Sequence, residues 1–279
     1  MQTGQLAAGP AAPIADEAER AFLAEQRRER WRRLFLPLFG GAVLLLVWWA
    51  LVEVFQVKPF IAPAPQVVAR TLYEKFGLLM ANLAPTAVEA VGGFVLGNFA
   101  AIVTATVFVH SRSVEQAFFP VAVLINSIPV VAKAPILVLL LGNGLAPKVA
   151  IAGIICYFPT LVNMVRGLQA VSPQAMELMH VLSASRREVF FKLRVQTSLP
   201  FLFSAMKIAT STATVGAIVG EWIGSQIGIG ALIIQATYNF DSALLYATVL
   251  CGSAFSVLFF LIIRTIEQLV VRWDTGVTL

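Results

Sequence analysis

Long apolar runs alternate with polar connections along the whole chain. They span Leu34 to Phe55, Pro85 to Val109, Phe118 to Leu141, Pro147 to Val165, Phe201 to Ile223 and Leu244 to Val271. Each is close to the ~20 residues a helix needs to cross a ~30 Å hydrocarbon core. The pattern therefore predicts an all-α polytopic bundle with about six transmembrane helices. The first run is too long for the short apolar region of a signal peptide, so it stays in the protein as a membrane helix. Ahead of it, Met1 to Ile14 is uncharged and rich in Ala, Gly and Pro and reads as disordered. Asp16 to Arg33 reads as an amphipathic helix on the inner membrane face, ending in a dense basic cluster. This divides the chain into a tail, 1–33, and a membrane portion, 34–279. Lys58 to Asn82 reads as a loop and a short surface helix on the opposite side.

Composition agrees: 58% of the residues are hydrophobic and only 13% charged, more apolar than a soluble domain can hide. An even number of spans puts both termini on one side of the membrane, and the basic residues choose the side. Of 20 lysines and arginines, 15 fall in the tail, around Arg112, between Arg166 and Lys207, and near the C-terminus. The positive-inside bias makes those segments, and both termini, cytoplasmic. The net charge of +5 has no interleaved aromatic groove beside it, so it does not point to nucleic acid. Cys156 and Cys251 lie inside apolar runs and read as reduced core residues, and His110 and His180 are too far apart in sequence to suggest a metal or hydrolase site.

The most polar internal stretch, Gln174 to Val195, lies between two apolar spans. Ser172-Pro173 carries the cap and first-turn proline of a helix start. Ser185 and Glu188 have the spacing of a capping box, so a second helix begins there and the bend falls at Ser183-Ala184. Met176, Met179, His180 and Ser183 share a face of the first helix, which suits docking into a groove on another protein. A loop helix resting on its own bundle fits the same spacing.

Within the spans, Gly93/Gly97 and Gly220/Gly224 have the spacing that lets helices approach closely in lipid. Lys207, Thr210, Ser211, Thr214 and Glu221 lie on one face of the fifth span and suggest a polar path, although hydroxyls bonded to their own backbone and charges at the interfaces would look the same. Lys133 sits inside the third run between Pro129 and Pro135. A charge there calls for a wet cavity or a partner, and the prolines call for two short helical pieces. Glu89 is a possible partner.

The stretch Met176 to Pro200, "MELMHVLSASRREVFFKLRVQTSLP", resembles the EAA loop of ATP-binding cassette importer permeases, with Glu177, Ser183 and Leu199-Pro200 in the places of its glutamate, glycine and Leu-Pro. Two positions depart from it: Leu178-Met179 replaces an Ala-Ala pair, and Ser183 replaces the glycine. "NSIPVVAKAPILVLLLGNG" and "VGEWIGSQIGIGALI" are similar to regions of the nitrate, sulfonate, taurine and bicarbonate branch. The resemblance covers roughly Phe60 to the C-terminus. It implies a type I permease fold in the bacterial inner membrane and import of a small anion by alternating access.

The same resemblance makes residues 172–200 a coupling loop seated in separate ATPase subunits. Those subunits would bind ATP and Mg2+, since this chain has no phosphate loop and no cofactor or enzymatic role of its own. A second permease copy, an extracytoplasmic binding protein and lipid are the other implied partners. Glu177, Met179, His180, Ser183, Ala184, Ser185 and Arg187 are the implied coupling residues. Asn126 and Ser127 join Lys133, Thr210, Ser211, Thr214 and Glu221 along the translocation path. The competing readings are an ion-driven secondary transporter using Lys133, Glu89 and Glu221, and a membrane scaffold.

Overall fold

The structure, a computed structural model, describes residues 13–271 and divides into two compact units, Met1–Lys58 and Pro59–Leu279. In the first unit, α1 (Pro13–Val54) is one helix of 42 residues that runs through the expected boundary at Arg33-Leu34 without a break. Its polar half is rich in Ala, Glu and Arg, which are strong helix formers, so the junction contains no stop signal. Trp31 and Phe35 lie one turn apart across that junction with ring centroids 5.1 Å apart. The stretch read as disordered lies, up to residue 12, outside the described residues.

The second unit contains α2 (Pro65–Glu74), α3 (Phe76–His110), α4 (Arg112–Ser127), α5 (Val130–Leu141), α6 (Leu145–Gln169) and α7 (Pro173–Val181). A single turn α8 (Arg186–Glu188) then leads through a π-helical segment, Val189–Arg194, into α9 (Val195–Glu221). It ends with α10 (Ile229–Tyr238) and α11 (Ser242–Val270). The short α10 occupies a region in which the hydrophobic pattern suggests no element.

Its centre is the packing of α3, α6 and α9. Lipid tails are as apolar as leucine, so helices in a membrane associate through close contact between small residues. The Gly93/Gly97 pair does this: a β-carbon on Gly97 would collide with the carbonyl oxygen of Gly153 on α6, and one on Gly93 with Ala152. On α9 the close approach uses Gly216 and Gly220, against Ala152 and Lys148, rather than the expected Gly220/Gly224 pair. Gly224 lies beyond the end of α9, where φ is +75°, beside Asn143. Ala209, Ala213 and Ala217 continue the small face into a core shared with Phe94, Phe203 and Phe259.

These contacts fix direction. α3 and α6 meet residue for residue in the same sense, Gly93 with Ala152 at one end and Asn98 with Thr160 further along, through a 2.7 Å hydrogen bond. They are therefore parallel, and the chain between them must return through the bundle. The α4–α5 pair makes that return, bent by 100° at Ile128-Pro129, where the proline withholds a backbone donor. The two short pieces expected around Pro129 are present. α9 runs antiparallel to α6, since Gly167 meets Ser198 while Gly216 meets Ala152.

Among the described residues, α3, α6, the run Arg186–Glu221 and α11 are each long and apolar enough to cross a membrane, and the bent α4–α5 pair reaches that length and apolarity only when its two helices are taken together. The sixth expected span falls on α1, which carries the apolar stretch Leu38–Val54.

Candidate functional site

The loop between α6 and α9 folds on itself. The Ser172 side chain accepts from the Ala175 amide at 3.2 Å and caps α7, with Pro173 in its first turn. At the other end, Ser183 adopts φ +53°, the Ser183 amide donates to His180 O at 2.9 Å, and the Ala184 amide donates to Met179 O at 3.0 Å. That pair of bonds is a Schellman motif with serine in the left-handed position a glycine normally takes. Two residues later, Ser185 and Glu188 form a reciprocal capping box that starts α8. The expected helix, bend and second helix are all present, with the bend at Ser183-Ala184.

The orientation of α7 differs from the expected methionine-bearing docking face. Met176 and Met179 are half-buried and line a cavity of 480 Å3 with His110, Phe190 and Arg194, so they face their own bundle. The outward face carries Glu177, Leu178, Val181 and Leu182, and Val181 is 81% exposed. Three apolar side chains beside one carboxylate, held on a rigid elbow, form a surface suited to a protein groove. Three- and four-residue spacing connects both faces of so short a helix, so periodicity alone does not choose between them. His180, Ser183, Ser185 and Arg187 are exposed and Ala184 is half-buried in the bend.

At the opposite end of the bundle a buried polar latch ties α3, α6, α9 and the α9–α10 connection together. Lys148 donates to Glu89 at 2.8 Å and to Ser225 at 2.9 Å. Glu221 is fully buried and accepts from the Thr86 hydroxyl at 2.6 Å and the Gly230 amide at 2.5 Å. Thr86 also accepts from the Ile229 amide, and Asn82 from the Gly228 amide. The second oxygen of Glu89 is buried without a hydrogen-bond partner. Gly228, at φ +123°, is required here, because a β-carbon would overlap the Glu221 carboxylate. Glu221 therefore lies inside the protein rather than on a polar path or at an interface. The signal for the latch in the sequence was Gly228-Ile229-Gly230, a spacing of glycines beyond a carboxylate that marks close backbone approach.

The other path residues separate. Thr210 and Thr214 are buried, and their hydroxyls return to the backbone carbonyls of Lys207 and Thr210. Lys207 pairs with Glu267 at 2.8 Å instead of reaching alone toward the interface. Ser211 is exposed on the neighbouring face, as are Asn126 and Ser127 at the α4–α5 bend. Lys133 is half-exposed on α5 and makes no ion pair among the described residues. Glu89 pairs with Lys148 and not Lys133, so the three groups of the charge-relay reading do not form one chain.

An all-helical membrane bundle with a broken third element and a self-capped elbow before its fifth is the architecture of a transport permease. Residues 93–273 match the family described as the binding-protein-dependent transport system inner membrane component, and the chain belongs to that family. It is 33% identical over 253 residues to the riboflavin transport system permease protein RibX of Chloroflexus aurantiacus, covering 90% of this chain and 94% of that one. It is 31% identical over 232 residues to the formylaminopyrimidine transport permease protein ThiX of Halalkalibacterium halodurans, covering 83% and 93%. The taurine transport system permease protein TauC of Escherichia coli is 22% identical, with 88% and 94% covered. A chain from inward-facing structures of the MetNI methionine ABC transporter superposes with a TM-score of 0.52 at 17% identity, covering 76% of this chain and 97% of that one, and shares the fold. The chain is thus an inner-membrane permease subunit of an ATP-binding cassette importer and not an enzyme. Its branch includes the sulfonate, taurine and bicarbonate permeases.

Proposed function

We propose that the α7 elbow seats in a cleft of a separate ATPase subunit and converts ATP-driven closure of two such subunits into alternating access of a permease dimer. ATP and Mg2+ bind to the partners. The observation that carries this reading is the outward face Glu177, Leu178, Val181 and Leu182 on a loop capped at both ends of its helix. On this reading the elbow and both termini are cytoplasmic, in accord with the basic residues, and an extracytoplasmic binding protein delivers cargo to the latch end.

For the cargo we favour a small heterocyclic metabolite over a small anion. Relatives at 31–33% identity carry names for riboflavin and formylaminopyrimidine transport, whereas those named for sulfonates, taurine and bicarbonate stand at 22–24%. The unpaired Lys133 on the bent span supports the anion reading. Purification of Val181→Asp with its ATPase tests the elbow: loss of association with insertion intact supports the proposal, and undiminished association and uptake overturn it. ATP-dependent uptake by the assembled complex of riboflavin, formylaminopyrimidine and taurine, each with its binding protein, separates the two cargo classes.

A further inference from the structure

A large cavity lies at the elbow end of the bundle but beside α7 rather than on it. It measures 840 Å3 and opens between the last turns of α3 and α6, the first turns of α4 and the π segment. That volume falls in the range of about 300–1,000 Å3 typical of small-molecule sites. Three guanidinium groups come to it from separate elements: Arg112 opens α4, Arg166 stands in the last turn of α6, and Arg194 closes the π segment. Arg112 and Arg166 make no ion pair among the described residues, and Arg194 is held in place by donating to Leu168 O at 3.1 Å. Glu115 is the one carboxylate in the lining, and it accepts from Gln169 at 3.4 Å.

Three arginines against one carboxylate leave the lining with a net positive charge, and guanidinium forks match phosphate oxygens in pairs. The α4 N-terminus, where Ser111 makes no side-chain cap, adds positive potential in the same place. Gln116 and Gln169 add amides to the lining, and its apolar part is the half-buried Phe119 with Pro120, backed by the core residues Phe108 and Val165. A free inorganic anion has no use for such a wall. A molecule with a phosphate at one end and hydrocarbon at the other satisfies both parts, and the cavity lies at the last turns of α3 and α6, two helices long and apolar enough to cross a membrane.

We infer that this cavity binds the headgroup of an anionic phospholipid, with its phosphate on Arg112, Arg166 and Arg194 and its upper acyl carbons along Phe108, Phe119 and Val165. The site adjoins the elbow, since Arg194 also lines the cavity under α7, and its effect on the elbow rests on the coupling role proposed above. A lipid seated there braces the π segment that leads from the elbow into α9.

The test is native mass spectrometry of the full-length permease assembled with its ATPase, titrated with phosphatidylglycerol, phosphatidylcholine or inorganic phosphate. The expected result is retained phosphatidylglycerol, with phosphatidylcholine washed away and phosphate at millimolar concentration failing to displace the lipid. Arg112→Gln with Arg166→Gln should weaken phosphatidylglycerol retention roughly thirtyfold, from about 1 kcal/mol for each basic residue. Displacement by phosphate would reassign the cavity to a free anion. Equal retention of the zwitterionic lipid, unchanged retention by the double variant, or no retention in the complex because a protein partner fills the cavity would each overturn the inference. Should the double variant fail to assemble, photo-crosslinking of a diazirine phosphatidylglycerol to the wild-type complex decides: labelling within 112–120 and 162–169 upholds the site and labelling elsewhere refutes it.

Discussion

Lys148 on α6 holds Glu89 on α3 at 2.8 Å, with the carboxylate only 2% exposed. The pair sits where α3 and α6 run parallel at glycine-limited distance. Lys148 bonds the Glu89 Oε1 and the Oε2 has no hydrogen-bond partner, so the lysine is what offsets the cost of burying that charge.

Lys148→Met should therefore destabilise the permease by about 3–5 kcal/mol, because it leaves an uncompensated buried carboxylate. Lys148→Met combined with Glu89→Gln should recover most of that loss. Thermal unfolding of detergent-solubilised protein for the two single variants and the double variant measures the coupling.

Gly228→Ala should disrupt the α9–α10 connection more than Gly142→Ala disrupts the α5–α6 connection. Both glycines have positive φ with an extended ψ, a region almost confined to glycine that strains an alanine by about 1–3 kcal/mol. Only at Gly228 does the new methyl also meet Glu221, whereas Gly142 has nothing within 4 Å. Protease sensitivity of the two connections gives the comparison, and equal effects would show that Glu221 does not fix the loop.

Ser183→Gly should stabilise the elbow by about 1 kcal/mol, since it relieves a left-handed serine while keeping both Schellman bonds. Slower hydrogen exchange at Ser183 and Ala184 is the expected signature. Ser183→Val should speed it.

Lys75 and Asp241 pair at 2.9 Å outside the spans, and Asp241 also accepts from the Leu244 amide at the start of α11. Burial raises the Asp241 carboxyl, but the Lys75 ammonium and that amide outweigh it and hold it below its ordinary value. A lowered folded value means that the contribution is complete above the unfolded value near 3.9 and disappears as the pH falls through the lower folded value. With both side chains more than a third exposed, the contribution stays under about 1 kcal/mol. Melting temperature measured from pH 6 to 3 should show a small acid loss that Asp241→Asn flattens.

Much of the fold could be read from the chain because lipid imposes a simple rule on it. Apolar runs located the spans of the second unit, Pro129 located the break between α4 and α5, and Ser172, Ser185 and Glu188 located the ends of the elbow helices. Burial of individual polar groups was not legible, because it depends on which helices become neighbours. Glu89 met Lys148, 59 positions away, instead of Lys133, and Thr210 and Thr214 turned inward while Ser211 turned out. The same holds for α7, whose methionines fit either face until α3 and the π segment lie beneath them. α10 is short and bounded by Gly228, so neither length nor periodicity marked it.

The elbow also bears on how fast the importer can assemble. Its shape is held by Ser172, Ser183, Ser185 and Glu188, all within the loop, so on the proposed docking an arriving partner meets a finished surface rather than a segment it must first order. Little chain entropy is lost at contact, and encounter becomes a rigid docking event limited by orientation. Detached permease should therefore recapture its ATPase with single-step kinetics and a weak temperature dependence.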